Sequence, residues 1–179
     1  STGMTFDHFT VGAGTLTLGS DLTVARNLLI FSGTTLTSAT NNRNINVGGD
    51  WTNAGTYTSG SNTTTFNGSG TSTIVTGGTG TAADFQNFTV NKTGGGVAQL
   101  STNGLDVDGT LTVTSGTLDL NGQALTTTTT CSITGILKLT GDESLSCTPT
   151  NNTGSTVEYS ATSGTRDIKN WTYKNLKIN

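Results

Sequence analysis

Few side chains in this sequence carry reactive chemistry, and most stand alone. The only histidine, His8, lies between Asp7 and Phe9. Two acidic pairs are closer to a usable pattern. Asp106 and Asp108 are two residues apart beside Gly109, which puts them on one face of a strand. Asp142 and Glu143 follow Gly141 in a turn-forming stretch. Paired carboxylates suit Ca²⁺ binding or general acid–base work, whereas acids on a solvated face or turn give the same pattern. The Gly-Gly-x-Gly-x-Asp calcium repeat does not occur. Gly94-Gly95-Gly96 is followed by no helical pattern and reads as a turn rather than a phosphate cradle. No Ser-His-Asp set can be assembled around His8. Trp51, Tyr57, Trp171 and Tyr173 offer rings for stacking on sugars, or for filling the corners of a fold. The expectation is a protein without cofactor, metal or catalytic residues, and not an enzyme.

Cys131 and Cys147 are the only cysteines. With one histidine in the chain a zinc site is disfavoured; a disulfide is predicted, with two buried free thiols as the alternative, and a disulfide would imply an oxidising, extracellular setting. Asn-x-Ser/Thr acceptors occur at Asn62, Asn67, Asn87, Asn91, Asn151 and Asn170. A chain this rich in Asn, Ser and Thr produces about that many by chance, so glycosylation there is a weak expectation.

The elements that hold these residues follow from composition. Of 179 residues, 42 are Thr, 25 Gly, 17 Asn and 16 Ser, while apolar residues make up 31% and charged residues 11%. Helical proteins need more Ala, Leu, Glu and Lys than this; disordered chains need more charge or proline, and Pro149 is the only proline. A net charge of −3 is the wrong sign for a nucleic-acid partner. No apolar run is long enough for a membrane span. An all-β chain of Thr-rich strands and Gly/Asn-rich turns remains.

Short triplets with period two recur: Leu16-Thr17-Leu18, Leu22-Thr23-Val24, Ile45-Asn46-Val47, Leu105-Asp106-Val107, Leu111-Thr112-Val113, Leu118-Asp119-Leu120 and Leu137-Lys138-Leu139. Each reads as a strand with one buried face. Many neighbours are only six or seven residues apart, which leaves room for a tight turn and none for a helix. A longer repeat overlies them. Phe6-Asp7-His8-Phe9-Thr10-Val11 is echoed at Phe85-Gln86-Asn87-Phe88-Thr89-Val90 and, more loosely, at Tyr173-Lys174-Asn175-Leu176-Lys177-Ile178. On this reading 1–179 is one elongated repeat domain, with repeats at about 6–84 and 85–172 and a third begun at 173–179.

Phe66-Asn67-Gly68-Ser69-Gly70-Thr71, the Phe85–Val90 motif and the run from Gly109 to Leu120 resemble the β-solenoid, or parallel β-helix, repeats of secreted bacterial surface proteins, such as autotransporter passengers and haemagglutinin-like adhesins. The resemblance covers nearly the whole chain. It implies an extracellular, elongated, structural or adhesive protein with no shared catalytic residues. Coils of about 18–25 residues would stack at about 4.8 Å into a rod of roughly 35–45 Å. The alternative fold is an antiparallel β-sandwich or jelly roll.

A solenoid has two open ends. Here Phe6–Val11 stands near one and Tyr173–Ile178 near the other, with no capping segment between either motif and the end of the sequence. Arg166, Lys169, Lys174 and Lys177 make one end basic, while the first 25 residues hold Asp7 and Asp21 before any Lys or Arg. The expected partner is therefore the chain itself, in a homopolymer stacked head to tail at the cell surface. Phe6, Phe9 and Val11 would meet Tyr173, Leu176 and Ile178, with Lys174 and Lys177 beside them. The alternatives are a fragment of a longer repeat protein, or an adhesin stalk or carbohydrate-binding module that meets surface glycans.

Overall fold

The computed structural model describes residues 3–78, 84–127, 129–161 and 167–179. Thr128, within the run of five threonines at 126–130, and the basic Arg166 lie outside them. No helix occurs among the described residues, and every strand pair is parallel. The chain is a β-solenoid, and the parallel pairing overturns the antiparallel alternative.

Three walls enclose the core. The first is formed by Met4–Phe6, Leu22–Val24, Ile45–Val47, Thr63–Phe66, Asn87–Asn91, Thr110–Ser115, Thr130–Ile133 and Thr150–Asn151. The second has nine rungs: Phe9–Val11, Leu28–Ile30, Trp51–Asn53, Thr71–Val75, Val97–Leu100, Thr117–Asp119, Ile136–Leu139, Thr156–Tyr159 and Asn175–Ile178. The third is broken into Thr15–Thr17, Thr35–Thr37 and Thr56–Thr58, then Leu105–Val107 and Leu125–Thr127. Single bridges from Phe85 to Val107 and from Leu125 to Leu145 extend it. Coil length varies. Met4 pairs with Leu22, eighteen residues on, and Thr71 with Val97, twenty-six on.

The period-two triplets explain the rungs. In Leu22-Thr23-Val24 and Ile45-Asn46-Val47 the outer residues point inward and are buried, while the middle one faces out. The interior is only one side chain deep from each wall, so little apolar material fills it. Coils three to five need more, and there Trp51, Tyr57, Phe66, Phe85 and Phe88 form a buried stack with neighbouring ring centroids 5.1–6.4 Å apart.

Asn and Asp hold the corners. Asp21 Oδ1 accepts from Asn44 N at 3.0 Å, and Asn44 Oδ1 from Thr63 N at 2.9 Å. Asn87 Oδ1 accepts from Thr110 N at 3.0 Å. At the next corner Asn27 Oδ1 takes Asp50 N, and Asp50 Oδ1 takes Thr73 N. Each short side chain reaches one coil up and satisfies a backbone donor where the chain turns away from the ladder. Glycine serves where coils come closest. A Cβ on Gly48 would lie 2.2 Å from the Ala25 carbonyl oxygen; Gly116, at φ +76°, would set one 2.7 Å from that of Gly96.

Candidate functional site

The two end faces carry most of the exposed apolar side chains. Phe6 and Leu16 in the first coil are 41% and 38% exposed; Leu176 and Ile178 in the last rung are 44% and 47% exposed. All four continue the inward-facing files. Phe6 is in register with Val24 and Leu16 with Leu36, while Leu176 is in register with Val157 and Ile178 with Tyr159. Each partner named is buried. These are core-file positions left partly open to solvent among the described residues. Phe31 and Ile168 complete the exposed large hydrophobic residues among those described, and the Phe31 ring leans on Gly12 of the first coil.

The predicted end residues do not all behave alike. Phe9 is half-buried, with its ring centroid 5.2 Å from that of Phe6. Val11 is 3% exposed and belongs to the core, so it offers no open contact surface. Tyr173 is half-buried. Its hydroxyl lies 3.2 Å from that of Tyr159 and donates to the Lys169 carbonyl. Burial, then the neighbouring Tyr159, pushes its phenol up from the ordinary value. Lys177 already pairs with Glu158 of its own chain at 3.2 Å, whereas Lys174 is exposed.

The walls differ in surface chemistry. On the first, an uncharged file runs outward through Thr5, Thr23, Asn46, Thr65, Thr89, Thr112, Ser132 and Thr150. On the second, Gln99, Asp119, Lys138, Glu158 and Lys177 are in register one above another. Asp119 Oδ2 takes Lys138 Nζ at 2.8 Å and Gln99 Nε2 at 3.0 Å. Charges alternate along this file at coil spacing. At the first corner Arg26 Nε donates to Asp7 Oδ1 at 3.1 Å, again from one coil to the next. His8, exposed, places Nε2 3.6 Å from the same carboxylate.

The two acidic pairs have separate fates. Glu143 is 3% exposed, and its carboxylate accepts from Gly122 N, Thr140 N, Thr140 Oγ1 and Gly141 N, so it caps a corner. Asp142 beside it is exposed. Asp106 and Asp108 are joined by Asp84, with carboxylate oxygens within 4.8 Å of one another. Asp84 precedes Phe85 in the coil below and was not visible as a partner in the sequence. Among the described residues, these three have the geometry to hold a cation.

Burial, then the Asp108 charge, raises the Asp106 carboxyl above its ordinary value, and a hydrogen bond with Asp84 works the other way. A raised folded value favours the protonated form in the fold. The stability it contributes is fully present below the ordinary aspartate value and is lost as pH rises through the folded one. Asp106→Asn is therefore expected to raise the melting temperature at about pH 7, with the gain vanishing at about pH 3. A gain that persists in acid would show the cause to be packing.

Lys92 was missed by sequence reading. It is 1% exposed, and its ammonium donates to Asn67 O at 2.7 Å and Gly48 O at 3.3 Å, tying three coils at one corner. Burial lowers its pKa, partly offset by Asp50. Its spacing gave no signal, because the two carbonyls lie 25 and 44 residues away.

Trp51 and Tyr57 are fully buried in the aromatic stack and present no ring to a sugar; Trp171 and Tyr173 are half-buried beside each other. Two glycosylation acceptors are also corrected. The Asn62 amide is buried and donates to the Tyr57 hydroxyl at 2.8 Å. That of Asn151 is buried and donates to Thr172 O. Neither has room for a glycan in the folded chain. Asn67 and Asn87 are half-buried, and Asn91 and Asn170 exposed. The Cys131–Cys147 disulfide is present.

No family model, curated protein or solved structure matches this chain. The β-solenoid stands on the geometry above, and kinship with autotransporter or adhesin repeats rests on sequence resemblance alone.

Proposed function

We propose that this chain is a non-enzymatic, extracellular structural protein whose copies stack head to tail into a surface filament or sheath. The observation that carries this reading is the exposure, among the described residues, of inward-file side chains in the first coil and the last rung, Phe6 and Leu16 in one and Leu176 and Ile178 in the other. Unpaired strand edges accompany them, and such edges recruit further strands. The two faces differ, so contact between them is heterologous and does not close. The disulfide supports an oxidising compartment. The glycan-binding alternative has lost Trp51 and Tyr57 to the core.

Electron microscopy of the oxidised chain over a range of concentrations tests this. Filaments are expected with an axial repeat of about 43 Å, nine rungs at about 4.8 Å. Short isolated rods at every concentration would overturn the reading. Leu176→Lys is expected to raise the concentration needed for assembly at least about tenfold, with circular dichroism and melting temperature unchanged, because residue 176 is already solvated in the single subunit. Normal assembly by this variant would remove the last rung from the junction.

A further inference from the structure

Three Asn-Gly pairs occur in the chain, at 67–68, 103–104 and 121–122. We infer that Asn103 is the one the fold leaves open to spontaneous deamidation, a modification site in the turn between the second and third walls. The reaction needs no enzyme. The backbone nitrogen of the glycine gives up its proton and attacks the asparagine Cγ, forming a C–N bond; the Cγ–Nδ2 bond breaks and ammonia leaves. Water then opens the five-membered succinimide at either carbonyl, giving aspartate or isoaspartate. Glycine permits the attack because it sets no Cβ against the closing ring. The three pairs differ in how firmly that nitrogen and that side chain are held.

Asn121 shows that exposure alone does not decide. It is exposed, yet its Nδ2 donates to Leu100 O at 3.0 Å and its backbone N to Asp119 Oδ1 at 3.0 Å. The attacking nitrogen, Gly122 N, is itself engaged, donating to Glu143 Oε1 at 3.2 Å. Its proton lies against a carboxylate, which opposes its loss. Asn67 is half-buried, and its backbone is tied to the coils on both sides. Asn67 N donates to Val47 O at 2.9 Å, while Asn67 O accepts from Lys92 Nζ at 2.7 Å and Gly68 O from Thr93 N at 2.9 Å. Closing the ring at either place means loosening these bonds first.

Asn103 is exposed, and among the described residues neither its side chain nor its backbone N or O has a hydrogen-bond partner. The nearest ties stand on either side of it, from Ser101 N to Ile74 O at 3.0 Å and from Thr76 Oγ1 to Gly104 O at 2.9 Å. Local opening therefore costs least here. Isoaspartate would route the main chain through Cβ and add a negative charge just before the Leu105–Val107 rung.

The oxidised, folded chain is incubated in mildly alkaline buffer, and a second sample is held in guanidinium chloride. Both are followed by peptide-resolved mass spectrometry, with chromatographic separation of aspartate from isoaspartate. In the folded chain Asn103 is expected to convert at least about tenfold faster than Asn67 and Asn121, while in denaturant the three convert within about threefold of one another. Conversion of Asn67 or Asn121 as fast as Asn103 in the folded chain would overturn the inference. So would an Asn103 that keeps its amide throughout. Aspartate formed there with no isoaspartate would exclude the succinimide and overturn the route.

Discussion

Phe85→Ala is expected to destabilise the fold by about 4 kcal/mol, the range for emptying a fully buried aromatic site. Phe85 is inaccessible to solvent and touches three rings, with centroids 5.2 Å from Trp51, 5.7 Å from Tyr57 and 5.2 Å from Phe88. The stack spans coils three to five, so the cavity would open between neighbours that cannot collapse onto each other without breaking ladders on two walls. Trp51 lies against the site, and its fluorescence in a urea titration reports the change. Phe31→Ala is the control. That ring is 47% exposed, and a loss below about 1 kcal/mol is expected. Equal effects at the two positions would mean that the aromatic stack is not what holds the middle of the rod.

Reducing the Cys131–Cys147 bond is expected to cost about 3 kcal/mol, the chain-entropy value for a loop of this length. The local geometry says where the loss falls. Cys131 lies on the first wall, in Thr130–Ile133, and the rung stacked on it is the two-residue Thr150–Asn151. Pro149 precedes that rung and has no N–H to donate. The ladder is thus thinnest where the bridge crosses it. Hydrogen exchange after reduction should show amides from about 136 onward losing protection while those of coils two to five keep theirs. Uniform loss along the chain would contradict a local staple.

The rungs were legible in the sequence because their signal is local. Leu22-Thr23-Val24 or Leu137-Lys138-Leu139 states its own buried face, and six-residue spacing leaves no room for helices. The order of coils was harder to read. Phe85–Val90 resembles Phe6–Val11 in sequence, yet it runs from the third wall onto the first, whereas Phe6–Val11 runs from the first onto the second and Tyr173–Ile178 ends in a rung of the second. The motif reports how an aromatic residue turns a corner, and coil lengths between eighteen and twenty-six residues hide which corner it is. The corner files of Asn and Asp were invisible for a related reason. Their spacing is not constant: Asp21 serves Asn44 and Asn44 serves Thr63 at separations of 23 and 19, so abundant Asn looked like turn chemistry and chance acceptor sites. Glu143 looked like a free acid because its four donors are backbone and hydroxyl groups that no side-chain pattern reveals.

The rungs lie across the rod, so their hydrogen bonds point along it. A pulling force on the two ends would load one rung at a time, as a zip is loaded, rather than shearing a whole wall at once. Each coil of about 20 residues would release roughly 70 Å of slack as it lets go. The residues between Cys131 and Cys147 would stay locked, shortening that step by roughly 50 Å. A fibre of such subunits would yield gradually under tension and lengthen many times before any covalent bond was strained, with the bridged segment acting as a stop in every subunit.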